Sequence, residues 1–287
     1  MRRHATSLAA LLALAACHGQ PPSPPTDQAL QQAAHSGREA LNFDHPNQAV
    51  TQYRHAFSLA LARDDAGAIA DLGYDLAVAQ LAAGDAAPAL ATVLRTRAAL
   101  RARNAPAFAG LDLVQAAALH HLGADRQADT LAALAQSDPA TRVQASRLRG
   151  RIAAAHDDQA GLSAAIAALG TPKHPIPDWQ SGHDELSARL DLLRGNYARA
   201  AASAESAAAI QRTQLDYRDM AGSLALAALA TQRGGNASAA ADLYLQAGES
   251  AAARGDTTTA RPWLEQAEGP GATPATAQAA RTTLQQK

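Results

Sequence analysis

The sequence predicts an all-α fold, a solenoid of about six to seven antiparallel helix pairs. Three observations carry that reading. The first is composition: of 287 residues, 78 are Ala, only ten are Val or Ile, and 3% are aromatic. A pleated sheet is covered by β-branched and aromatic side chains, whereas Ala is the strongest helix former. The second is a repeat. The pattern Ala-x3-Φ-x2-Ala, with Φ apolar or aromatic, begins at residues 49, 89, 128, 160, 200 and 240, in steps of 40, 39, 32, 40 and 40. The third is turn chemistry in the same phase. Gly84-Asp85, Gly123-Ala124-Asp125, His156-Asp157-Asp158, Gly195-Asn196-Tyr197 and Gly235-Asn236 each lie about five residues before the repeat Ala. Gly permits a left-handed helix stop, and Asp or Asn caps the helix that follows.

The elements follow in order from the N-terminus. Met1-Arg2-Arg3-His4 is a short basic start, and residues 8–16 form an apolar run of nine. That run is too short for the ~20 residues of a spanning helix, and suits the core of a secretory signal peptide. It ends in Leu14-Ala15-Ala16-Cys17, which resembles the bacterial lipobox. The resemblance implies a signal peptide over residues 1–16, cleavage before Cys17, and lipidation of the Cys17 thiol. His18, where an Asp would favour inner-membrane retention, implies an outer-membrane protein facing the periplasm. Two or more acyl chains hold a protein stably at a bilayer. Residues 17–27 contain Pro21, Pro22, Pro24 and Pro25, an extended and semi-rigid tether.

Helices are expected at 28–43, 46–63, 66–83, 86–103, 106–122, 125–136 and 140–155. The series continues with 158–169, 182–194, 197–212, 215–233, 237–253, 257–268 and 274–286. Each unit reads as a first helix, a tight turn, and a second helix whose small residues let the backbones approach. Gly170-Thr171-Pro172-Lys173-His174-Pro175-Ile176-Pro177 interrupts the array, because three prolines fix the backbone and remove donors. The expected organisation is N-terminal repeats over 28–169, a Pro-rich loop or hinge over 170–181, and C-terminal repeats over 182–287. Trp179 is expected to plug the gap beside that loop.

The second helices resemble those of the tetratricopeptide (TPR) repeat. Gly195-Asn196-Tyr197-Ala198-Arg199-Ala200 matches its turn and second-helix start, Ala49-Tyr53-Ala56 and Ala240-Tyr244-Ala247 match its second-helix pattern, and Asp138-Pro139 resembles its end-of-repeat proline. The step of about 40 is longer than the usual ~34, and the Trp-Leu-Gly-Tyr pattern of the first helix is mostly missing. The resemblance implies a right-handed superhelix whose inner face, built by first helices, holds a protein or peptide. By the repeat phase, inner-face candidates are Asp71, Tyr74, His120, Glu185, Arg189, Gln232 and Arg233.

Candidate chemistry is sparse. His120 and His121 are adjacent, so on a helix they point about 100° apart and cannot chelate one ion together. No Cys pair or His-x3-His supports zinc. Asp64-Asp65 and Asp157-Asp158 sit at turns, where capping explains them. There is no nucleophile elbow and no phosphate loop. Glu185 and His183 would diverge on one helix. Of the 23 Arg, the densest group is Arg95, Arg97, Arg101 and Arg103, at a helix end where cations complement the dipole. With 25 Lys+Arg against 26 Asp+Glu, no basic footprint for nucleic acid exists. The expectation is a non-enzymatic scaffold in the cell envelope, bound to the membrane through its N-terminal lipid and to a protein or peptide through its repeats, with no cofactor or metal. A helical envelope hydrolase or lyase is the alternative.

Overall fold

The computed structural model describes residues 27–285. The signal peptide, Cys17 and nearly all of the Pro-rich tether lie outside the described residues. Within them, all regular structure is helical, in fourteen helices. In chain order these are α1 (Gln28–Asn42), α2 (Pro46–Ala62), α3 (Ala66–Ala82), α4 (Ala86–Ala102), α5 (Ala109–His121), α6 (Asp125–Ala135) and α7 (Arg142–Ala155). Then come α8 (Gln159–Ala168), α9 (Pro177–Leu193), α10 (Tyr197–Thr213), α11 (Tyr217–Arg233), α12 (Ala237–Ala253), α13 (Thr257–Ala267) and α14 (Pro274–Gln285). No described helix is long and apolar enough to cross a membrane.

The turns act as the sequence chemistry requires. At the end of α3, Gly84 takes φ +87°, its N–H donates to Leu81 O at 3.0 Å, and Asp85 N–H donates to Gln80 O at 2.8 Å. These bonds satisfy carbonyls that a helix end leaves without partners. Gly123, Gly195 and Gly235 take the same left-handed conformation. Asp157 fills that position before α8 with φ +53°, a conformation Asp tolerates better than most residues. Asp158 then caps α8 by accepting from Gly161 N–H at 2.9 Å.

Each helix packs on its sequence neighbours, and first helices also pack on first helices, α3 on α5, α5 on α7, α7 on α9 and α9 on α11. The odd-numbered helices therefore form one layer and the even-numbered ones the other. Ala49, Ala89, Ala128, Ala200 and Ala204 are wholly buried where the two layers meet. Thr96 stands where the pattern expects Ala, and is also wholly buried. It fits because Gly73 lies opposite on α3: a Cβ there would sit 2.1 Å from Thr96 Oγ1.

Two expectations are corrected. Ala160, Ala164 and Ala167 are exposed, so that match is an accident of an Ala-rich chain. The buried residue four positions after the cap of α8 is Leu162, which stands to Asp158 as Ala89 stands to Asp85. The true steps are then 34 from 128 to 162 and 38 from 162 to 200. The second correction concerns residues 177–181, expected in a loop. α9 begins at Pro177, because Pro at the first helical position lacks only an N–H that would have no helical partner. Trp179 is thus helical. Its Nε1 donates to Leu169 O at 3.1 Å, its ring stacks on His183 at 5.1 Å, and it packs with Leu162, Leu169 and Leu186.

Candidate functional site

The inner layer carries charge where the outer layer carries Ala. Arg147 and Arg151 lie one turn apart on α7, Glu185 and Arg189 one turn apart on α9, and Asp219 lies in the first turn of α11. Glu185 is 2% exposed, and three guanidinium groups converge on it. Arg147 donates to Oε2 from Nε at 3.2 Å and from Nη2 at 2.9 Å. Arg151 donates to Oε1 from Nε at 2.7 Å and to Oε2 from Nη2 at 2.9 Å. Arg189 donates to Oε1 from Nε at 3.1 Å and from Nη2 at 3.0 Å. Asp219 accepts from Arg147 Nη2 and, at 2.9 Å, from Arg151 Nη2.

Taking a carboxylate out of water costs several kcal/mol, recovered only with good geometry and a full set of hydrogen bonds. Glu185 has both. Burial works to raise its pKa, but Arg151, Arg189 and Arg147 together hold it well below the usual carboxylate range. Asp219 is lowered in the same way, burial being outweighed by Arg151 and Arg147. Arg151 is raised well above the usual guanidinium value, since Glu185 and Asp219 overcome its own burial.

The network forms one wall of a concave cavity of about 460 Å³, with Leu113, Ala117, Leu148, His120 and His121 among the residues facing it. Three Arg and two carboxylates line the cavity, and Asp178, paired with Arg147 from outside the lining, brings the group to charge balance. Arg151 and Arg189 expose 35% and 28% of their side chains. Among the described residues neither Nη1 has a hydrogen-bond partner, so each guanidinium keeps an edge for a ligand. Asp178 lies 3.8 Å from Arg147 Nη1 and is absent from the lining. His121 has a lowered pKa through burial, with His120, Arg151 and Arg218 adding repulsion. It is therefore neutral near pH 7.

The sequence-derived candidates are distributed unevenly about this cavity. Glu185, Arg189 and His120 line it. Glu185 is corrected from an available surface group to the buried centre of an ion network. His120 Nδ1 is engaged by Asp125 Oδ1 at 2.6 Å, and the other oxygen of Asp125 meets His156 Nε2 at 2.8 Å. Tyr74 is half-buried, its ring 5.6 Å from that of Phe108. Asp71 is exposed on α3. Gln232 and Arg233 are exposed at the end of α11, where Gln232 Nε2 reaches Gln266 Oε1 at 3.4 Å. The Arg group at the end of α4 does not converge. Arg95 lies over Phe57, while Arg97 pairs with Asp112 and Arg103 with Asp64.

Arg147, Arg151 and Asp219 were not singled out from the sequence. Tyr74 and Glu185 each precede their repeat Ala by fifteen residues, and Arg189 precedes its own by eleven. Counted from Leu162, the same offsets give Arg147 and Arg151; counted from Ala128 they give Leu113 and Ala117. All four line the cavity. The false repeat at Ala160 displaced the count by two residues and concealed the two arginines. Asp219 follows neither offset.

No family model matches the chain, and no curated protein matches it. Solved structures with similar folds include a tetratricopeptide repeat protein from Parabacteroides merdae, with 16% identity over 90% of this chain and 100% of that one, at a TM-score of 0.49. The C-terminal part of a TPR repeat-containing protein from Cytophaga hutchinsonii aligns at 14% identity over 87% and 98% of the two chains, with a TM-score of 0.43. The TPR2AB domain of yeast Sti1, solved in complex with pHSP90, aligns at 13% identity over 83% and 96%, with a TM-score of 0.34.

Proposed function

We propose that the chain is a lipid-anchored scaffold of the bacterial cell envelope whose concave cavity receives an acidic segment of a protein or peptide. The observation that carries this reading is the partly exposed guanidinium edges of Arg151 and Arg189 beside the apolar Leu113, Ala117 and Leu148. A carboxylate matches the forked donors of a guanidinium, and the apolar wall accepts the aliphatic part of the same residue. The Leu14-Ala15-Ala16-Cys17 run supports anchoring at Cys17, and the Pro-rich segment after it supports reach from an outer membrane into the periplasm. Confinement to a membrane face raises the local concentration for partners there.

Titration calorimetry of the purified chain with a Glu-rich peptide and a Lys-rich peptide of equal length tests the reading. The Glu-rich peptide should bind, more weakly as salt rises, and Arg189→Gln should weaken it by at least about tenfold, about 1.4 kcal/mol. Equal binding of both peptides, or none, contradicts it. Anchoring is tested separately: Cys17→Ala should release the protein from membranes, and an unmodified thiol on the mature chain contradicts it. The alternative of a helical hydrolase or lyase draws on one observation, a neutral His121 among polar groups converging in one cavity. Turnover of an envelope substrate, lost in His121→Ala, would decide for the enzyme.

A further inference from the structure

The two ends of the array meet. The turn between α1 and α2 and the end of α3 face the start of α11 and the turn between α12 and α13, across a cavity of about 830 Å³. Arg218 Nη2 donates to Ala82 O at 2.8 Å, a contact between residues 136 positions apart. Arg254 Nε lies 3.7 Å from Asp44 Oδ2. On one side of the gap, Arg218 Nη1 lies 3.7 Å from Asp256 Oδ2. Among the described residues no apolar cluster of the core crosses this gap: one holds α1 to α5, and those of the C-terminal half span α9 to α14.

From this junction we infer that the array closes on itself through a polar seam that opens as ionic strength rises, widening the way into the concave cavity. Four features support it. From α1 to α5 successive units are joined by buried apolar side chains, which salt does not weaken, and the central ion network is built around the buried Glu185, whereas the contacts reaching across the seam are polar and lie beside an open cavity. Ion pairs with a partly exposed member are weak and are screened within about 8–10 Å at physiological salt; in the Arg254–Asp44 pair across the seam Arg254 is nearly buried but Asp44 is partly exposed, and Arg218, which reaches Ala82 O, is partly exposed too. The closed junction is also imperfect. Asp44 Oδ2 and Arg254 Nη1 are buried without a hydrogen-bond partner, and burial with repulsion from Arg218 lowers the Arg254 pKa. Opening returns both groups to water. Finally, His121 borders the seam and the concave cavity alike, so the two spaces are adjacent.

The inference goes beyond the proposed acidic partner, and its test needs no ligand. Thr51 on α2 and Arg261 on α13 are exposed on opposite sides of the seam. Spin labels at Thr51→Cys and Arg261→Cys, in the full chain carrying Cys17→Ser, report the distance across it. Pulsed electron resonance should give one short distance at low salt and a population several ångströms longer at about 1 M NaCl, where the Debye length falls to about 3 Å. Arg218→Ala with Arg254→Ala should show the longer distance already at low salt, with helical content unchanged. A distance in the labelled parent that ignores salt overturns the inference whatever the double variant does.

Discussion

The N-terminal units and the central inner layer use the same backbone arrangement with different chemistry between the helices. From α1 to α5, Tyr53, Phe57, Ile69, Leu76, Val93 and Leu100 share one apolar cluster. Across α7, α9 and α11, the side chains that meet at the inner face are Arg147, Arg151, Glu185, Arg189 and Asp219. Apolar contact is indifferent to pH and largely to salt. An ionic network holds only while each member keeps its charge and its partners. Stability in a solenoid is roughly a sum of repeat and nearest-neighbour terms, so the centre can weaken while the N-terminal units persist.

The largest effect should follow removal of the central carboxylate. Glu185→Ala leaves three guanidinium groups facing one another, and removing one partner of a buried ion pair costs about 3–5 kcal/mol. Leu100→Ala, in the apolar block, should cost about 2–5 kcal/mol. Denaturant unfolding measures both, and the two should differ in kind. The cost of Glu185→Ala should change with pH, and that of Leu100→Ala should not.

Acid should separate the two regions without any mutation. A depressed pKa means that the unfolded chain binds the proton more readily, so stability falls as pH falls. His121 begins this loss below its unfolded value of about 6.5. Glu185 and Asp219 add to it below about 4.3 and 3.9, down through their lowered folded values. Asp75, in the N-terminal units, has the opposite sign. Burial raises its pKa, with Asp71 adding repulsion and Arg38 opposing, so its contribution is fully present below the unfolded value and lost as pH rises through the folded one. In a Trp263→Phe background, fluorescence of Trp179, which packs on α8 and α9, should change at a higher pH than hydrogen-exchange protection of the α2 amides around Tyr53. Coincident transitions would contradict the separation.

The smallest effect is a gain. Leu215 is 67% exposed and holds φ +62° at the turn before α11, where a side chain meets the following carbonyl. Leu215→Gly should raise stability by up to about 1 kcal/mol, and the melting temperature should rise modestly. A fall would show that the leucine makes contacts that outweigh its strain.

Most helix ends were legible because each turn states its chemistry locally, as Gly84-Asp85 and Gly235-Asn236 do. The start of α9 was not, since Pro177 reads equally as a loop residue and as a first helical residue. The cavity was half legible: register identified Glu185 and Arg189, but Arg147 and Arg151 were hidden by a chance alanine pattern two residues out of phase. The seam had no local signal. Arg218 and Ala82 are separated by most of an array, and only its curvature brings them together.

Native-state hydrogen exchange on Glu185→Gln tests most directly whether the ion network is needed, beside the apolar clusters there, to join the central inner helices. Amides of α7, α9 and α11 should lose protection by orders of magnitude, while those of α1 to α4 exchange as in the parent. Unchanged protection in the centre, or an equal loss through α1 to α4, would contradict the account.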